Sequence, residues 1–231
     1  MIQLWTWPTP NGQKIHIALE ELELPYTVVP INIGKGDQFQ PEFLAITAGN
    51  HRIPAIVDDE GPSGPLALFE SGAILIYLAE KTGRLLPKDA AARAVTLQWL
   101  MFQMASVGPM FGQHGHFAMY APEKIPYAID RYTNEALRIL RVLDKRLGAA
   151  TWLAGDEYTI ADIATFPWTR TSKARGIDMT QFPNVSRWHE AMEARPGVQR
   201  GLDVMKDQQR RKPMTDEEKE VLFGKKQFEA R

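Results

Sequence analysis

At 231 residues, 44% apolar and 24% charged, the chain has the composition of a globular protein with room for one good core or two modest ones. Its 27 basic and 28 acidic residues leave a net charge of -1, which gives no general attraction to nucleic acid or to an anionic membrane surface. The absence of cysteine excludes disulfides, thiolate zinc sites and a Cys-x-x-Cys mechanism together, so any sulfur chemistry here uses the sulfur of a ligand.

The first residues, MIQLWTWPTPNG, have neither the basic flank nor the apolar run of a signal peptide, and no stretch approaches a membrane span, so a cytoplasmic location is expected. Ile2 to Trp7 is β-rich and bounded by Pro8, which predicts a strand. Thr9-Pro10-Asn11-Gly12 makes a turn, and Ile15, Ala18, Leu19 and Leu22 give the apolar face of a helix. Thr9 and Asn11 therefore stand at a helix N-terminus. There, backbone N–H groups and the Asn11 amide are placed to donate to a thiolate and lower its pKa. The competing reading is that both are ordinary turn and capping residues.

Tyr26 to Ile33 is a second β-branched run, and Pro30 inside it predicts an edge strand. Gly34-Lys35-Gly36 ends it, and a short helix is expected from Pro41 to Ile46. Two apolar runs, Ile53 to Val57 and Leu66 to Phe69, flank a Gly-, Pro- and Asp-rich turn and so read as a hairpin. Glu70 and Ser71 follow at once, and Ile74, Leu75 and Leu78 take up helical spacing. The order β-α-β-α-β-β-α predicts a four-stranded mixed sheet, an α/β unit.

Three features of this region suit a small peptide with charged ends. Pro54 drives Ile53 towards extended backbone, and a cis Ile53-Pro54 bond is the alternative to the ordinary trans one. Ser71 at a helix start offers a hydroxyl and unpaired N–H groups to a carboxylate, whereas the bland reading is a helix cap. Glu70 beside it supplies negative charge for an ammonium group.

Gly83 to Asp89 reads as a joint, with Gly83 as a helix C-cap and Pro87 as a stop. The expected division is 1–84 as the α/β domain, 85–90 as linker and 91–231 as an all-helical bundle with a charged extension. Ala91 to Met104 is helical, with Leu97, Leu100, Met101 and Met104 on one face. Pro126 to Leu147 is another long helix, to which Ile129, Leu137, Leu140, Val142 and Leu143 bring apolar contacts. Thr159-Ile160-Ala161-Asp162 matches a capping box, which assigns Asp162 to folding. His114 and His116 lack the further ligands a metal needs, so no metal is expected. The charge-dense end after Lys206 contains Val221, Leu222 and Phe223, which are apolar enough to dock, so partial order is expected.

The run IPAIVD followed by ESGAILIYL resembles the glutathione-binding half of the glutathione transferases, a thioredoxin-like domain. PTPNGQKI, GKGDQFQPEFL and LFESGAILIYLAEKTG are similar to the nu-class, or disulfide-bond oxidoreductase, branch, and WLAGDEYTIADIATFPW resembles the core helix of the transferase helical domain. The resemblance thus covers nearly the whole chain and implies the glutathione transferase fold.

It implies that Thr9 and Asn11 replace the Tyr, Ser or Cys that other classes use after the first strand. Ile53, with Pro54, pairs with the cysteinyl backbone of glutathione, Glu70 and Ser71 hold its γ-glutamyl end, and Gln38 is a further contact. Arg52 stands near the glycyl carboxylate, where many relatives carry a basic residue, but departs from the expected Lys; His51 precedes it. Arg131 matches a basic residue directed at glutathione, with an ion pair to Asp130 or Glu135 as the competing reading. Trp7, Phe111, His114, Phe117, Tyr120 and Trp168 are candidates for a second, apolar site, with burial in the core as the alternative. The implied activity is a glutathione-dependent disulfide oxidoreductase acting on a small-molecule disulfide, with glutathione or glutathione disulfide as co-substrate and a homodimer as the assembly. Conjugation of glutathione to an electrophile, or a non-catalytic glutathione-binding regulator, are the alternatives.

Overall fold

Alternating burial along Ile2–Thr6, with Ile2, Leu4 and Thr6 inward, makes the first strand, β1. It pairs in parallel with β2 (Tyr26–Pro30) on one side and antiparallel with β3 (Ala55–Asp58) on the other. β3 pairs antiparallel with β4 (Leu66–Phe69), giving a mixed sheet of order β2-β1-β3-β4. The Pro30 strand is an edge, as a residue without an N–H requires. The computed structural model describes residues 1–210 and 213–229.

Helix α1 (Pro10–Leu22) covers the sheet with Ile15, Ile17, Ala18 and Leu19 at zero exposure. At roughly 1.5–3 kcal/mol for each large apolar side chain, this face is a principal source of the unit's stability. Helix α2 (Pro41–Ile46) begins at a proline and buries Phe43, which packs with Ile31 and Ala55. Helix α3 (Ser71–Thr82) follows β4 without a loop.

The chain divides into two compact units, 1–78 with 200–231, and 79–199. The extension that the sequence groups with the helices is thus joined to the sheet unit. Helix α9 (Pro196–Asp203) crosses the division. Its Gly201 lies so close to α1 that a Cβ there would stand 2.6 Å from the Ile17 Cα, and no side chain fits. Arg200 donates to a Glu20 carboxylate oxygen at 2.8 Å and to the Glu20 carbonyl at 3.0 Å. Helix α10 (Asp216–Phe223) has a full capping box between Thr215 and Glu218, and α11 (Lys226–Glu229) follows. Val221 and Leu222 are buried, whereas Phe223 is 45% exposed.

The second unit is helical. It contains α4 (Ala90–Phe102), α5 (Gly108–Gly115), α6 (Pro126–Ala149), α7 (Ile160–Thr169) and α8 (Pro183–Glu193). α4 packs on α7, α5 on α6 and α6 on α8. The buried stripe of α6 is Ala136, Ile139, Leu140, Leu143 and Leu147, at helical spacing. On α4 the inward positions are Thr96 and Leu100, continued by Gln103 and Val107, while Met101 is 48% exposed. The expected face is therefore rotated. Thr96 can turn inward because its hydroxyl is satisfied by the Ala92 carbonyl, and a π-helical segment at Gln103–Val107 continues the stripe.

Asp162 anchors this unit. One carboxylate oxygen accepts the Leu153 N–H at 2.9 Å and the Trp188 indole N–H at 3.0 Å; the other accepts the Thr159 N–H at 3.0 Å and its hydroxyl at 3.2 Å. The expected capping box is present. No described helix is long and apolar enough to cross a membrane.

Candidate functional site

The strand register brings three stretches to one end of the sheet. Trp5 is opposite Ala55, and Ala55 is opposite Phe69. The residues that follow β1, precede β3 and follow β4 therefore emerge together: Thr9 and Asn11, Ile53 and Pro54, and Glu70 and Ser71. Thr6 is opposite Pro30, so the segment leaving β2 towards Gln38 starts from the same end.

Around β1 the chain turns tightly. The Thr9 N–H donates to the Trp7 carbonyl at 2.7 Å, and the Thr9 hydroxyl accepts from the Gly12 N–H at 3.4 Å, capping α1. A Cβ at Gly12 would collide with the Trp7 carbonyl, so only glycine lets the loop fold over the first turn. Asn11 occupies that first turn, half-buried, where the positive end of the helix dipole favours negative charge.

The Ile53-Pro54 bond is cis. Pro54 is buried, and Ile53 packs with Trp5, Ile33, Ile46 and Phe69 around the Ile31-Phe43-Ala55 cluster. Arg52 is exposed. His51 packs edge-on against Phe39, with ring centroids 5.1 Å apart, which ties the turn at Asp37–Phe39 to the segment before Ile53. Gln38 in that turn is 1% exposed. Its amide nitrogen donates to the Ile33 carbonyl at 3.2 Å, and its amide oxygen is buried without an acceptor's partner among the described residues.

Glu70 is exposed and has φ +69°, the left-handed region that costs a branched or bulky side chain of order 1–3 kcal/mol. Its carbonyl accepts the Ile74 N–H at 3.0 Å, so Glu70 precedes the helix and Ser71 is the first helical residue. Ser71 is 4% exposed and receives a hydrogen bond at 3.2 Å from Lys14 Nζ. Lys14 is 1% exposed; burial pulls its pKa down to about 7, and the Glu70 carboxylate partly opposes this. Sequence reasoning did not single out Lys14, since a lysine in an amphipathic helix reads as solvent-facing. The available signal was its position between Gly12 and Ile15 at the start of the buried face.

A cavity of about 320 Å³ lies within the sheet unit, lined by Trp7, Asn32, Asp207, Gln208, Gln209, Arg210 and Glu218. Arg210 holds both Glu218 carboxylate oxygens at 2.9 Å, and this keeps the Glu218 pKa down at about 2. Trp7 is the one expected apolar-site residue in this unit.

The others lie in the helical unit. Arg175, which the sequence did not flag, gathers several of them: it donates to the Phe111 carbonyl at 3.0 Å and lies 5.8 Å from the Trp168 ring centroid. Its charge also lowers the His114 pKa, after burial, and Tyr120 interacts with it electrostatically. Phe111 and His114 are buried, while Phe117 is half-buried and stacks on Tyr132 with centroids 5.5 Å apart. Arg131 is exposed and pairs with Glu135 at 3.8 Å, the ion pair that competes with a ligand role. Among the described residues no cluster of three or more His, Asp or Glu side chains forms a metal site.

Residues 1–80 match the family model for the glutathione S-transferase N-terminal domain, and residues 107–196 match that for the C-terminal domain. Disulfide-bond oxidoreductase YfcG of Escherichia coli (strain K12) is 51% identical over 204 residues, covering 87% of this chain and 94% of its own. Disulfide-bond oxidoreductase YghU of the same organism is 44% identical over 216 residues, covering 88% and 74%. A glutathione transferase family member from Pseudomonas fluorescens Pf-5, solved with two glutathione bound, superposes with a TM-score of 0.83 at 51% identity, covering 87% of this chain and 92% of that one. A glutathione transferase from Pseudomonas putida, solved with one glutathione disulfide per protein subunit, gives 0.83 at 47% identity, covering 88% and 91%. Two domain matches in the family's order, and close relatives aligned along most of their length, establish that the chain belongs to the glutathione S-transferase family.

Proposed function

We propose that the protein is a glutathione-dependent disulfide oxidoreductase in which glutathione supplies the only reacting thiol. The observation that carries this reading is the convergence of Thr9 and Asn11, Ile53-Pro54 and Glu70-Ser71 at one end of the sheet, in a chain without cysteine. Ser71 and the first turn of α3 receive the γ-glutamyl carboxylate, and Glu70 its ammonium group. The peptide lies along Ile53, and the buried amide oxygen of Gln38 accepts an N–H of the ligand. Arg52 is the charge partner for the remaining carboxylate.

This placement sets the cysteinyl sulfur against the N-terminus of α1. The Asn11 amide, the Thr9 hydroxyl and the helix dipole stabilise its thiolate over the thiol, which loses its proton to solvent. The thiolate attacks one sulfur of a bound disulfide; a mixed disulfide with glutathione forms, and the other half leaves as a thiolate. A second glutathione thiolate then releases the remaining half, and glutathione disulfide is the product. The relatives named for disulfide-bond oxidoreduction, and those solved with two glutathione or with glutathione disulfide, support this sequence. Family membership supports a homodimer as the working assembly, checked by light scattering in solution.

The test is the glutathione-dependent reduction of a small symmetric disulfide, coupled through glutathione reductase to NADPH oxidation. A protein-dependent rate well above the spontaneous exchange is expected. A rate equal to the control would direct the assignment to conjugation of an electrophile, or to a non-catalytic binding role if glutathione still binds.

A further inference from the structure

We propose that the cavity beside Trp7 receives the ammonium end of a small cationic disulfide, with the Trp7 indole and the Asp207 carboxylate as the groups that recognise it. The inference rests on the disulfide-oxidoreductase reading above and names a substrate class for it.

The cavity is placed for a substrate. Thr6 is opposite Pro30 in parallel strands, so Trp7, which follows β1, and Asn32, which follows β2, leave the sheet at the end where Thr9 and Asn11 begin α1. Residues 207–210 and Glu218 of α10 complete the wall. At about 320 Å³ the space stands at the small end of ligand cavities, which suits a short-chain compound.

The lining gives the cavity its preference of charge. Arg210 is the cation of the wall, and Glu218 takes it up through two bonds of 2.9 Å. The second carboxylate, Asp207, is engaged by no hydrogen bond or ion pair among the described residues; the neighbouring Lys206 pairs instead with Asp203 at 2.6 Å. An exposed carboxylate on a convex surface is merely solvated. Asp207 differs because it shares a concavity with Trp7, whose half-buried indole makes no ring or cation contact among the described residues. A carboxylate and an aromatic face together suit an alkylammonium group and disfavour an anion.

The covalent steps remain those of thiol-disulfide exchange. The glutathione thiolate forms a bond to one substrate sulfur as the substrate S–S bond breaks, and the electron pair leaves on the other sulfur, as an aminothiolate that takes a proton from solvent. The cavity contributes no reacting group and acts by holding the ammonium arm.

The reductase-coupled assay tests this on the full chain with three disulfides of similar length: cystamine, which ends in ammonium groups, neutral hydroxyethyl disulfide, and dithiodipropionate, which ends in carboxylates. Each rate is divided by the spontaneous rate with glutathione alone, which removes the intrinsic reactivity of the disulfide. The enhancement in kcat/KM should fall in the order cystamine, hydroxyethyl disulfide, dithiodipropionate. About tenfold is expected between the first two, the combined worth of one exposed ion pair and one cation–π contact. Asp207→Asn and Trp7→Leu should each lower the ratio of cystamine to hydroxyethyl disulfide about threefold, the double variant should bring it close to unity, and Trp7→Phe should keep most of it. Equal enhancement of all three disulfides, or variants that leave the ratio as it is in the wild type, overturns the proposal. No protein-dependent rate on any of them overturns the parent reading, and this one falls with it.

If the variants do not fold, the wild-type protein still decides. Hexamethylenediamine copies cystamine without its disulfide, and should inhibit cystamine reduction competitively, whereas hexanediol should not. Inhibition by both, or by neither, refutes the site.

Discussion

Replacing Asp162 with alanine tests the assignment of that residue to folding. Its two carboxylate oxygens accept from the Leu153, Thr159 and Trp188 N–H groups and from the Thr159 hydroxyl. The hydroxyl can rotate to a new partner, but the three N–H donors cannot. Each buried donor left unmade costs ~1–3 kcal/mol, a gross loss of ~3–9 kcal/mol. Against this stands the net cost of holding the carboxylate charged, its burial less these same hydrogen bonds, which raises its pKa to about 6 and is worth ~3 kcal/mol. The difference leaves a net destabilisation of ~3 kcal/mol, or roughly a 10 °C fall in midpoint for a chain of this size. Urea unfolding followed by tryptophan fluorescence measures it, with the glutathione Kd determined well below the midpoint. A loss under about 1 kcal/mol would mean that water reaches these donors. A changed Kd at full folding would mean that Asp162 serves the ligand, and the assignment would fall.

Asn11→Ala should lower the disulfide-reduction rate by ~10- to 100-fold, the worth of one hydrogen bond to a charged sulfur, with little change in midpoint; an unchanged rate would falsify its role. Ser71→Ala should weaken glutathione binding by about tenfold, and an unaltered affinity would place the carboxylate elsewhere. Stability of the ligand-free protein should rise between pH 7 and 9. The folded Lys14 pKa of about 7 lies below its unfolded value of 10.5, so the unfolded chain holds the extra proton in this window, and the slope approaches ~1.4 kcal/mol per pH unit. Above about pH 10 the slope reverses, because the raised Tyr26 and Tyr77 phenols ionise first in the unfolded chain. A flat profile from 7 to 9, or the same rise in Lys14→Met, would show that Lys14 does not titrate this way.

What the sequence makes legible follows the range of the interactions involved. The strands, the Pro41–Ile46 helix and the Thr159-Asp162 box rest on residues a few positions apart, and the structure has all of them, though β2 stops at Pro30 short of Ile33 and β3 begins at Ala55, after Ile53 and Pro54. The inward face of α4 is misplaced because propensity counts Thr96 and Gln103 as outward, whereas a bond to a carbonyl four residues back lets Thr96 turn in. Lys14 and Arg175 escape notice for a related reason: the burial of a charged side chain is decided by partners 57 and 64 positions away. The grouping of the C-terminal segment with the sheet depends on Arg200 meeting Glu20, a separation of 180 residues that no local pattern reports.

That last contact bears on how the protein is made. The helical unit is one continuous stretch of chain, so it can fold as it leaves the ribosome. The sheet unit is interrupted: α1 is synthesised early but must wait for Gly201, the residue narrow enough to lie against Ile17, before its outer surface is covered. Until then the α1 surface that carries His16, Ile17 and Glu20 stays open to solvent and to other nascent chains, at the slow end of the scale set by sequence separation. Loss of the chain from Gly201 onward, or a bulky residue at Gly201, should therefore damage the sheet unit more than the helices encoded between its two parts.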